Sequence, residues 1–148
     1  MEKAKKIDAF NKLIQVNNDR IVGYETAFKE TLDTSLKTLF THCIQTSKAN
    51  NKVLIHEVEQ LGGEPIKGTK TAFKFLRVWM EIKTWLTNHA NKSILQSCVF
   101  GEKIALIIYK KVLDDHLEIL EDKYVVMITT QLSFIENDYH QVKSQLSQ

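Results

Sequence analysis

The chain is poor in residues that break helices. One proline and five glycines serve 148 residues, and Gly62, Gly63, Pro65 and Gly68 fall in one short run, Leu61 to Gly68. Long uninterrupted stretches on either side exclude an all-β fold, which needs a turn signal every 8–12 residues or so. Cysteine is also scarce: Cys43 and Cys98 cannot make a disulfide scaffold. No charge of one sign dominates, with 20 basic against 18 acidic residues and a formal net charge of +2. That balance shows no basic stripe for nucleic acid and no acidic tail. No apolar run approaches a membrane span, and Met1 to Lys6 leads into an amphipathic helix rather than an apolar signal core. The expectation is a cytoplasmic protein without membrane or nucleic-acid partners. Gly-x-Gly-x-x-Gly, P-loop and nucleophile-elbow patterns are all missing, so no common catalytic motif points to an enzyme.

What is present is helical periodicity. A hydrophobic content of 43% suffices for one domain, residues 1–148, with a substantial core. Spacing predicts helices over about 3–31, 34–61, 69–87, 90–113 and 116–146. In the first, Ile7, Phe10, Ile14, Asn17, Ile21, Tyr24 and Phe28 recur at intervals of three and four. The second carries Leu36, Phe40, Cys43, Ser47, Asn50, Leu54 and Val58 on one stripe, with Asp33 or Thr34 as its cap and Gly62-Gly63 as its stop. The helix over 69–87 is rich in aromatics and crosses the outside of the bundle. The helix over 90–113 turns Ile94, Cys98, Ala105 and Tyr109 inward. Asp114-Asp115 is expected to end it and open the last helix, with its stripe of Val125, Ile128, Leu132, Ile135, Tyr139 and Val142. This is an all-α four-helix bundle: two antiparallel hairpins joined by a long crossover containing an extra helix.

Aligning the helices by distance from their turns puts Asn17, Ser47, Asn50, Glu102 and Gln131 at one height, with Thr129 and Thr130 beside them. A polar layer would then cross an apolar bundle. Di-metal bundles place their site at that height, with one Glu from each of two helices and a Glu-x-x-His from each of the others. Of these types only Glu102 is present there, so the layer reads as a register device of mutually bonded polar groups. Burial would raise the Glu102 pKa unless a cation reaches it. Glu25 could assist Glu102 in a metal site. A second group lies near the crossover end: Glu136 and His140 one turn apart, His56 and Glu57 on the second helix, and His89. These could ligate zinc or another borderline metal, or could be surface ion pairs. Cys43 and Cys98 are expected free, about eleven residues or roughly 16 Å apart in level, where a disulfide needs α-carbons within about 7 Å.

The run Asn17-Asn18-Asp19-Arg20-Ile21-Val22-Gly23-Tyr24-Glu25, the turn Leu61 to Pro65, Arg77 to Lys83, Ile94-Leu95, Gly101-Glu102 and Tyr109-Lys110 follow in one order along nearly the whole chain. Together they resemble an uncharacterised bacterial family of ferritin-like, rubrerythrin-related four-helix bundles. The resemblance implies that fold and no assigned activity. Where family members carry Glu-Arg-Gly-Glu, this chain has Cys98-Val99-Phe100-Gly101-Glu102, a more apolar version. The expected function is a non-enzymatic structural, interaction or stress-associated bundle without a complete di-metal site or cofactor, its surface mediating self-association or the binding of a protein partner. The alternative is a metal-dependent oxidoreductase or store using iron or manganese at Glu102 and its neighbours. A third possibility is a small-molecule cavity bordered by Asn17, Asn50 and Glu102.

Overall fold

A computed structural model describes residues 2–69 and 90–148. Four long helices account for most of them: α1 (Glu2–Glu30), α2 (Thr34–Gln60), α3 (Ala90–His116) and α4 (Asp122–Leu146). No strand occurs among the described residues. The helix expected over 69–87 falls almost wholly outside them.

The α1–α2 turn is short because Asp33 caps α2, its Oδ1 accepting from the Leu36 amide at 3.0 Å. At the other end, Gly62 takes φ +79°. The Gly63 amide donates to the Val58 carbonyl and the Gly62 amide to the Glu59 carbonyl, at 3.0 and 2.9 Å. These paired bonds form a Schellman cap, which needs a residue free to enter left-handed space. Gly63 is constrained differently: a Cβ there would sit 2.8 Å from the Ile7 side chain of α1, which would have to shift to admit it.

Two boundaries depart from the sequence reading. Asp114 and Asp115 do not end α3, which continues to His116. Lys111 lies 3.2 Å from Asp115 one turn later, and such a pair supports a helix end. The chain then turns on the His116 carbonyl, which accepts from Ile119 and Leu120, and α4 starts at Asp122 rather than 116. Phe28, expected inward, is 36% exposed under the Lys37 ammonium, 4.2 Å from its ring.

α1 packs against both α2 and α3, α4 packs against α3 and more lightly against α2, and α2 and α3 stand diagonally apart. The core comes in two parts. One gathers around Phe10, Leu13, Ile14, Leu54, Val58, Tyr109 and Ile128. The other gathers around Tyr24, Leu36, Phe40, Ile94, Leu95 and Val142. Buried polar residues lie between them.

Candidate functional site

The polar layer is two rings, stacked about one helical turn apart. The first is made of neutral groups, one side chain from each helix. The Asn17 amide Nδ2 donates to the Tyr109 hydroxyl at 2.7 Å and to the Leu13 carbonyl at 2.8 Å. Asn50 Nδ2 donates to Asn17 Oδ1 at 3.2 Å. The Tyr109 hydroxyl donates to Gln131 Oε1 at 2.8 Å, and Gln131 Nε2 returns to the Asn50 carbonyl at 3.2 Å. The circuit closes on itself. Buried amides satisfied in this way fix the axial register of four helices, because a slip by one residue would strand several donors.

The second ring is charged and centres on Arg20, which is buried on α1. Its Nε donates to Glu102 Oε1 at 2.6 Å and its Nη2 to Glu102 Oε2 at 3.0 Å, a fork-to-fork pair. Nη2 also donates to Asp138 Oδ2 at 2.9 Å, and Nη1 to the Ser47 hydroxyl at 2.6 Å. The guanidinium carbon lies 5.5 Å from the centre of the Tyr24 ring. All four helices therefore converge on one cation. His42 joins from outside: its Nε2 is 3.1 Å from Asp138 Oδ1, with the imidazole half exposed and the carboxylate buried.

The electrostatics of this ring follow from burial. One guanidinium faces two carboxylates, so the cluster lacks a positive charge when all three are ionised. Burial pushes the Glu102 pKa up; Arg20 opposes that rise through its charge and hydrogen bonds, and Asp138 adds to it. Burial works against the Arg20 charge too, but the charge and hydrogen bonds of Glu102 outweigh it and hold the guanidinium protonated. Tyr24 is pushed up, first by burial and then by the Glu102 charge.

Asn17, Ser47, Asn50, Glu102 and Gln131 are all buried in these rings. Thr129 and Thr130 are exposed. Glu25, His56 and His140 are also exposed, Glu136 is half-buried, and the His140 ring packs edge-on against Tyr139 at 5.3 Å. Among the described residues, no three His, Cys, Asp or Glu side chains gather closely enough to hold a metal ion. Glu25, Glu136, His140 and His56 thus do not join Glu102; the cation that reaches Glu102 is Arg20. His89 lies outside the described residues.

The sequence reading missed three members: Arg20, Tyr109 as a polar group, and Asp138. It drew the α1 stripe through Asn17, Ile21 and Tyr24, but Asn17, Arg20 and Tyr24 share a face just as well, and Ile21 is only half-buried. It ran the α4 stripe through Tyr139, whereas Asp138 lies seven residues after Gln131. One signal was available. The chain has two arginines against eighteen lysines. An arginine in mid-helix, in so lysine-rich a chain, marks a place where a planar fork is needed and an ammonium will not serve.

The cysteines need a correction of level. Ser47 and Glu102 both bind Arg20, and Cys43 and Cys98 each lie one turn from them in the same direction. Both thiols therefore sit at the height of Tyr24, not eleven residues apart. They are free because α2 and α3 are diagonal, with no pair of their α-carbons within 8 Å. A cavity of about 250 Å³ opens between α1 and α3, lined by Arg20, Gly23, Tyr24, Cys98, Gly101 and Glu102 among others. It borders Glu102 but neither Asn17 nor Asn50, whose amides are used by the first ring.

As a donor set, Arg20, Ser47, Glu102 and Asp138 do not fit a pair of metal ions. Two cations need four or more carboxylates and imidazoles. Here both oxygens of Glu102 accept from a guanidinium that itself lies between the two carboxylates.

No curated protein matches the chain. Among solved structures, one titled "ferritin like, diiron-carboxylate proteins" from Bacillus anthracis str. Ames is similar in fold, with a TM-score of 0.76. It shares 15% identity and covers 99% of this chain and 98% of its own. A family model described as a domain of unknown function, DUF2383, matches residues 5–115. The chain belongs to that family, and its fold is the ferritin-like four-helix bundle.

Proposed function

We propose that this protein is a non-enzymatic structural or interaction module, a ferritin-like bundle whose centre is held by an internal guanidinium instead of metal. The observation that supports this reading is the position of Arg20 between Glu102 and Asp138. A fixed cation there meets part of the electrostatic need that metal ions meet in di-metal bundles: it offsets the charge of inward carboxylates contributed by different helices. Unlike a metal, it offers no open coordination position for substrate or oxygen.

The second reading is an iron- or manganese-dependent oxidoreductase or store. It is favoured by the structural neighbour, whose title describes diiron-carboxylate proteins. Elemental analysis of the protein after loading with iron, manganese and zinc, followed by dialysis, separates the two. The guanidinium-centred reading expects no retained metal. Retention of about two equivalents of iron or manganese, the stoichiometry of a di-metal bundle, overturns it. Arg20→Ala serves as the internal control. If Arg20 stands where a cation is needed, its removal leaves two facing carboxylates, and divalent ions should raise the melting temperature of the variant but not that of the natural chain.

A further inference from the structure

Among the described residues, one side of the bundle exposes no fixed charge over most of its length. Every exposed residue of α4 between Lys123 and Lys143 lacks a fixed charge; there are eight of them, Phe134 at their centre. The first half of α2, which reaches α4 through the His42–Asp138 contact, continues the pattern. Its six exposed residues from Thr34 to Gln45 include no Asp, Glu, Lys or Arg. On this face two large apolar side chains stand in solvent, Val126 at 64% and Phe134 at 53% exposure. Depletion of charge around an aromatic centre is the compositional mark of a protein interface. A solvated helix face in a chain with 26% charged residues would not show it by default.

We infer that the α4 face, with the first half of α2 beside it, is a two-fold interface with a second copy of this chain. Three points choose this occupant. The uncharged stripe from Val126 to Gln141, about 23 Å long, has Phe134 at its midpoint. Two antiparallel copies of α4 therefore set the two Phe134 rings side by side at the two-fold, with Val126 opposite Gln141 and Thr130 opposite Asn137, an apolar centre between uncharged flanks. No charge on either copy is buried or opposed. Ile107 on α3 shows the contrast: it is 64% exposed but stands among Lys103, Lys110 and Lys111. Two copies meeting there would set lysines against lysines.

The size of the face sets the strength. Its fourteen exposed residues fall short of the roughly 20–30 per side of a standard interface. The pairing is accordingly weak and concentration-dependent. It does not depend on whether the bundle holds metal, because mass and metal content are separate readouts.

The test is sedimentation equilibrium of the full chain from low micromolar to near-millimolar concentration. The mass should rise from one chain of 17.1 kDa toward two. Phe134→Lys and Asn137→Lys, both at exposed positions, should each weaken pairing by at least about tenfold while leaving thermal unfolding of the monomer unchanged. Ile107→Lys should pair like the natural chain. A one-chain mass at every concentration overturns the inference. So does pairing that survives both α4 substitutions, or pairing that Ile107→Lys abolishes.

Discussion

Removing Arg20 is the sharpest perturbation of this structure. Arg20→Met keeps the apolar stem of the side chain but stops where the guanidinium begins, deleting the hydrogen bonds to Glu102, Asp138 and Ser47. It leaves two carboxylates, each about 1% exposed, without the guanidinium that lies between them. Breaking a buried ion pair from one side typically costs about 3–5 kcal/mol. That is a large part of the total stability of an ordinary domain, about 5–15 kcal/mol. For a chain of this length each kcal/mol moves the midpoint by about 2–4 °C, so the loss corresponds to roughly 6–20 °C. Urea and thermal unfolding followed by circular dichroism at neutral pH measure it. The deficit should shrink as pH falls and the stranded carboxylates take up protons. The triple substitution Arg20→Met, Glu102→Leu, Asp138→Leu removes all three charges at once and should recover most of the lost stability, since apolar replacement of a whole buried ion cluster is often neutral or better. A single-variant loss below about 1 kcal/mol, or a triple variant no better than the single one, would refute the account of the ring as a mutually dependent unit.

Further outcomes follow from the same geometry. Because burial raises the Glu102 pKa in the folded state, the folded protein holds that proton more tightly than the unfolded chain. The Glu102 contribution to stability is thus fully present below the usual glutamate range and is lost as pH rises through the raised folded value; Glu102→Gln should flatten this slope in pH-dependent urea unfolding. Tyr109→Phe deletes the hydroxyl that links Asn17 to Gln131 and should cost about 1–3 kcal/mol in the same assay, because both buried amides lose a partner. Asp33→Ala removes the side-chain cap of α2 and should cost about 0.5–2 kcal/mol, read as a lower urea midpoint. Cys43 and Cys98 are buried, and burial pushes both thiols up, so a thiol-specific chromogenic reagent should label neither until the protein is unfolded.

Among the described residues, the four long helices, their pairing into hairpins and the α2 stop were legible in the sequence alone. Each depends on local chemistry: a periodic apolar stripe, Asp33 where a cap is needed, and Gly62 where the backbone must turn left-handed. The presence of a polar layer was legible too, since Asn17, Ser47, Asn50, Glu102 and Gln131 interrupt otherwise apolar stripes. The tertiary structure decided what that layer is. Arg20 and Ile21 are adjacent on α1, and both lie within reach of one broad apolar face. Only the arrival of Glu102, Asp138 and Ser47 from three other helices makes it favourable to bury the arginine and leave the isoleucine half out. Likewise, distance from the turns placed Cys43 and Cys98 at different levels. The Arg20 side chain, bound by Ser47 and Glu102 one turn from the two cysteines, fixed the true register, and the diagonal placement of α2 and α3 kept the thiols apart. Local sequence sets which faces are apolar. Which charges those faces can accept is settled by what the neighbouring helices bring to meet them.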